Sequence, residues 1–153
     1  MKFGITAILV IAVGVGVLGQ DSAPAVESTE TVSLEQALNA LNAGDEKPAE
    51  TLMNSMSNPA GKLYLQACLE RAGGHPEAAI QLAARIVALH SLETEWLPRS
   101  ELLCAELYLE TGLTNAAAVT ARQIQDLYEG TEISKKARAL SAEIENRSGE
   151  AQE

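Results

Sequence analysis

Aromatic side chains are nearly absent from this chain. Phe3, Trp96 and three tyrosines make up 3% of its 153 residues. A core without aromatics must be packed with alanine and leucine, which favours close helix-on-helix contact. Beyond residue 20 there is also no β-branched run, which argues against a sheet. Basic residues are scarce too: 11 Lys and Arg stand against 21 Asp and Glu, a net charge of −10. Such a surface is a poor partner for nucleic acid and for anionic lipid, and its plain role is to keep an alanine-rich chain soluble. No Walker-type loop, dinucleotide fingerprint or serine elbow is present.

What the chain does have begins with an apolar leader. Residues 1–19 carry Lys2, an apolar run from Phe3, and a small-residue cleavage site before Gln20, the layout of a secretory signal. The competing reading is an uncleaved anchor over residues 3–18. That run falls short of the roughly 20 apolar residues a spanning helix needs, is interrupted by glycine, and leads into an acidic segment. Cleavage leaves ten basic against 21 acidic residues and sends the protein to a periplasmic or extracellular space. No cysteine follows the run where a lipid anchor would require one. Residues 20–32 lack periodicity and bases and read as a flexible acidic linker.

From residue 33 the spacing is helical. Ser33 and Gln36 match a capping box, and Leu34, Ala37, Leu38 and Leu41 follow on one side of a first helix. Pro48 opens a second helix that Asn58-Pro59 ends, and residues 61–72 form a third. Pro76 opens a fourth. Residues 97–130 then hold two amphipathic helices joined at Thr111-Gly112, the second capped by Thr114 or Asn115. A last helix runs over 131–147, before a frayed tail at 148–153.

These helices repeat. Ala37, Gly44 and Ala49 recur as Ala67, Gly74 and Ala79, and again as Ala105, Gly112 and Ala117, always seven and then five residues apart. Met53, Ala83 and Ala121 follow four residues later, and Met56, Ile86 and Ile124 three beyond those. A small residue in each first helix lets its partner approach, glycine makes the turn, and the next alanine accepts the contact. The units are 33–58, 61–92 and 98–129, within a domain of 33–147 that the helix over 131–147 closes. The fold class is therefore all-α, a stack of α-hairpins.

The pattern small-x6-Gly-x4-Ala, with Tyr108 three after Ala105 and the pair Ala121 and Ile124, resembles the tetratricopeptide repeat family over residues 31–147. The resemblance implies a concave groove along the first helices, made here of Leu34, Leu38 and Leu41, Tyr64, Cys68 and Arg71, Arg99, Leu102, Glu106 and Leu109, and Arg138. Arginine and tyrosine among leucines suit a partner's extended or helical segment. The plainer alternative is that three units curve too little to form a groove, so that the leucines meet the linker or a second copy.

Candidate chemistry is thin. His75 lies in a turn and His90 at a helix end, neither with a second ligand at metal spacing, so no metal, cofactor or catalytic residue is assigned. Cys68 and Cys104 invite a disulfide in an exported protein, but their directions around their helices differ by about 200°, which favours two buried free thiols. Trp96 is either the lid of a local core or an exposed anchor. Asn146-Arg147-Ser148 forms a formal glycosylation sequon. The function expected is a non-catalytic protein-binding scaffold or accessory factor of a bacterial envelope or secreted assembly. The alternatives are a membrane-tethered chaperone-like module and, behind it, a small-molecule-binding helical protein.

Overall fold

A computed structural model describes residues 29–150, so the expected signal at 1–19, the linker up to residue 28 and the last three residues of the tail lie outside the described residues. The described part contains seven helices and no strand. They are α1 (Thr29–Asn42), α2 (Lys47–Ser55), α3 (Pro59–Ala72), α4 (Pro76–Leu89), α5 (Trp96–Glu110), α6 (Thr114–Leu127) and α7 (Glu132–Glu150).

Several boundaries correct the sequence reading. Helix α1 starts at Thr29, which places Ser33 inside it rather than at its cap. Thr29-Glu30-Thr31-Val32 contains no Gly or Pro, and nothing in it stops propagation once a nucleus exists. Asn58-Pro59 does not end α2. The chain leaves α2 at Met56 in an extended conformation, and Asn58 caps α3 by accepting a hydrogen bond from the Gly61 amide at 3.0 Å, with Pro59 in the first turn. Helix α5 starts at Trp96, and α7 continues to Glu150, past the tail expected from residue 148.

The expected Thr114 or Asn115 cap is also absent, because the turn itself does that work. Gly112 takes φ +79°, the left-handed region where a Cβ is costly. The amide of Leu113 then donates to Tyr108 O at 2.7 Å and that of Gly112 to Leu109 O at 3.2 Å, the Schellman arrangement. Leu113 thus closes α5 and stands at the N-cap position of α6 with no side-chain cap. The turns at Gly44 and Gly74 make the same two bonds, Asp45 to Ala40 O and Gly44 to Leu41 O, then His75 to Glu70 O and Gly74 to Arg71 O. Likewise His75 stands at the N-cap position of α4 with no side-chain cap.

Helices in contact and joined by so short a turn must run antiparallel. Each helix packs on the next, and α1 packs on α3, α3 on α5 and α5 on α7; the even-numbered helices do not touch one another. Contacts therefore link α1, α3, α5 and α7 in series, with each even-numbered helix packed between its chain neighbours. The six alanines of the hairpin pattern are buried to 1% exposure or less, with Met56, Ile86 and Ile124 also in the core. Helix α5 divides that core. Leu103, Cys104 and Leu107 join the packing of α1 to α4, whereas Leu102, Ala105 and Leu109 join that of α6 and α7.

Candidate binding groove

Helices α1, α3, α5 and α7 together line an open concavity of about 1010 Å³. Its apolar surface includes Leu38 and Leu41 of α1, Tyr64 and Cys68 of α3, and Leu102 and Leu109 of α5. Arg71, Arg99 and Glu106 also line it, so nine of the eleven residues expected there are brought together. Leu34 and Arg138 are not among them. Leu34 is enclosed in the core at 1% exposure. Arg138 is exposed on α7 but lies two residues from Lys136, about 200° around the helix from the lining face.

Helix α7 instead contributes Ile133, Lys136, Leu140, Glu143 and Arg147. Those positions step by three, four, three and four residues, a helical stripe readable from the sequence. They were missed because only Arg138 was carried onto this helix from the repeat pattern. Glu46, at the start of α2, and Glu110, one turn beyond Glu106, complete the charged lining.

Arg71 is not free to meet a ligand. Its Nη1 lies 2.6 Å from Glu106 Oε2, its Nε donates to Glu110 Oε1 at 2.9 Å, and its Nη2 pairs with Glu110 as well. Glu106 and Glu110 stand one turn apart on α5, so one guanidinium bridges two hairpins. Burial alone would lower the Arg71 pKa, but the two carboxylates outweigh it and hold it above its ordinary value. Arg147 pairs similarly with Glu143 at 2.5 Å. Arg99 differs, since among the described residues its only ion-pair partner is Glu95 at 3.9 Å.

Tyr64 sits at the base of the groove between these charges. It shares a side-chain hydrogen bond with Cys68, and its ring packs at 5.7 Å on Trp96, tilted by 46°. Trp96 is 4% exposed, the core position of its two readings. Burial drives the Tyr64 hydroxyl far above its ordinary pKa, Cys68 adds to this, and the charge of Arg99 pulls part of it back. Burial likewise pushes the Cys68 thiol up to about 12 and the Cys104 thiol up to about 11. Both cysteines are free and buried, so at neutral pH they are small apolar groups rather than nucleophiles.

His75 approaches Glu70 at 3.1 Å on the exposed α3–α4 turn, and His90 follows α4, away from the groove. Among the described residues no cluster of His, Cys, Asp and Glu could hold a metal ion, and no helix is long and apolar enough to cross a membrane. Comparison with protein-family models, curated proteins and solved structures finds no match.

Proposed function

We propose that this chain is an exported, non-catalytic α-hairpin repeat protein of tetratricopeptide-like design, with three helix pairs and a closing helix, which binds a segment of a partner protein in its groove. The observation that carries the reading is internal. Residues seven and five apart in three units are buried alanines flanking glycine turns that share one hydrogen-bond pattern. A chain built of copies that cannot bury their faces alone must stack them. Stacking leaves one inner face open for recognition, lined here by Leu38, Arg99 and Lys136 above the nearly buried Tyr64. The mechanism is shape-complementary docking in a bacterial envelope or secreted assembly. A tether through residues 3–18 would change where the groove is presented and not what it holds; an intact mass starting at Gln20 would exclude it.

The test places a photo-crosslinking residue at Leu38 or Ala139, both lining the groove, and at Ala84 or Ala116, exposed on α4 and α6. Groove positions should join one recurrent partner polypeptide in the native compartment, and outer positions should not. Equal yields from both faces would defeat the reading. An adduct with a second copy would replace it by self-assembly.

A further inference from the structure

Five large apolar side chains stand exposed among the described residues, and three of them gather at one end of the fold. Leu89 ends α4, Leu92 stands in the connection to α5, and Leu127 ends α6, at 66%, 93% and 60% exposure. Helix α5 starts where that connection delivers it, and α6, antiparallel to α5, finishes beside the same turn. The Tyr128 hydroxyl donates to the Glu101 carboxylate and fastens the two helices together there. A single exposed leucine is ordinary, but three at one end make a surface.

The rim of that surface is acidic. Residues 89–101 and 126–132 carry Glu93, Glu95, Glu101, Asp126, Glu129 and Glu132 against one base, Arg99. Of the six carboxylates, only Glu95 and Glu132 have an ion-pair partner among the described residues. Glu101 adds a second anomaly, since its Oε2 is enclosed and has no hydrogen-bond partner among the described residues. A carboxylate oxygen shut away from water without a donor is unfavourable. A second copy of this chain would set the same carboxylates against these, and nucleic acid or anionic lipid would be repelled in the same way.

We propose that this end is a docking surface separate from the groove, taking a partner protein segment in which leucine-sized side chains flank a lysine or arginine. The apolar side chains cover Leu89, Leu92 and Leu127, and the cation meets the acidic rim. Glu101, at the seam of α5 and α6, supplies the acceptor that now lacks a donor.

The experiment uses the full chain and three labelled synthetic 14-mers: one of leucine and alanine with a central Lys, one with Gln in place of that Lys, and one with Ser in place of every Leu. Fluorescence anisotropy at physiological salt should show the first binding about tenfold tighter than either of the others. Leu92→Ser, at a site too exposed to affect folding, should lower that affinity about tenfold, and Glu101→Gln, checked for its helical circular dichroism, should erase the preference for Lys over Gln. Two controls should bind as the parent does: Leu38→Ser in the groove, and Leu113→Ser at the opposite end of α5. Equal binding of all three peptides, a Lys preference that survives Glu101→Gln, or an equal loss in either control overturns the proposal, and none of these results touches the groove reading. Sedimentation of the full chain as a dimer that Leu92→Ser dissolves would put a second copy on this surface and overturn it as well.

Discussion

Gly61 gives the sharpest test of the packing. It lies in the first turn of α3 with φ and ψ helical, so replacing it with alanine should gain about 0.5–1 kcal/mol from backbone propensity alone. The surroundings oppose this. A Cβ built there would sit 2.9 Å from Cζ2 of Trp96 and closer still to Cε of Met56. The methionine terminus is flexible and can swing aside. The indole cannot, because it is 4% exposed and held against Tyr64. Overpacking against a rigid ring costs about 1–3 kcal/mol, so the steric effect wins and Gly61→Ala should destabilise by about 1–2 kcal/mol. For a domain of this size that lowers Tm by about 3–10 °C, measured by circular dichroism. Trp96 is the only tryptophan, so its fluorescence should shift in the folded variant as the ring moves. Gly73→Ala is the control of opposite sign: its φ of −71° suits alanine and its nearest neighbours stand at 3.4 Å, so it should gain a few tenths to about 1 kcal/mol. If Gly61→Ala melts at or above the parent temperature, the convergence of Met56 and Trp96 on α3 is wrong.

Three further outcomes follow from the same contacts. Ala105→Leu, at a fully buried site between α5 and its neighbours, should cost about 1–3 kcal/mol, and an unchanged melting temperature would refute the close approach of the helices. A double-mutant cycle on Arg71 and Glu106, whose side chains are 34% and 32% exposed, should return a coupling of only about 0.5–1 kcal/mol that fades with added salt; a salt-independent coupling of several kcal/mol would contradict this geometry. The thiols predict alkaline weakening. Their folded pKa values, about 12 and about 11, lie above the ordinary 9.0, so the folded state retains protons that the unfolded chain releases. Stability is therefore complete below pH 9 and falls as pH rises, by at most about 1.4 kcal/mol per unit for each thiol, until about pH 11 for Cys104 and about pH 12 for Cys68. A folded Cys68→Ala, Cys104→Ala double variant should show a shallower alkaline slope in urea titrations, and an unaltered slope would remove the buried thiols as its source.

What could be read from the sequence was what repeats. The alanine and glycine spacings predicted the hairpins because a buried small residue and a left-handed turn each allow few substitutes. The helix ends were legible only where they depended on those spacings. Thr114 and Asn115 look like caps by residue type, yet the glycine turn places Leu113 at that position, and residue preference gives way to a bond already made within the turn. Asn58-Pro59 is ambiguous by composition, since the same pair can stop one helix or start the next, and only the Asn58 to Gly61 bond decides. In the groove, leucines were easier to place than charges. Arg71 and Arg99 look alike in a sequence, and which one is already paired depends on the register between α3 and α5.

The departures from the repeat matter as much as the repeat. Successive units are offset by 30 and then 38 residues, and the shortfall lies in α2, which spans nine residues where α4 and α6 span 14. Its last turn is missing. Met56, which by spacing matches Ile86 and Ile124 in the last turns of α4 and α6, instead ends α2 in an extended conformation. The surplus lies before α5, in the connection that delivers Trp96. Trp96 and Met56 meet over Gly61, where the shortened α2 leaves the start of α3 uncovered. Trp96 then backs Tyr64, whose opposite side lines the groove beside Arg99. A uniform repeat would put an alanine-sized contact at each of these places and leave the groove's base shallow and apolar. The omission of one helical turn makes room over the start of α3 for the chain's only tryptophan, which there backs the tyrosine at the base of the groove.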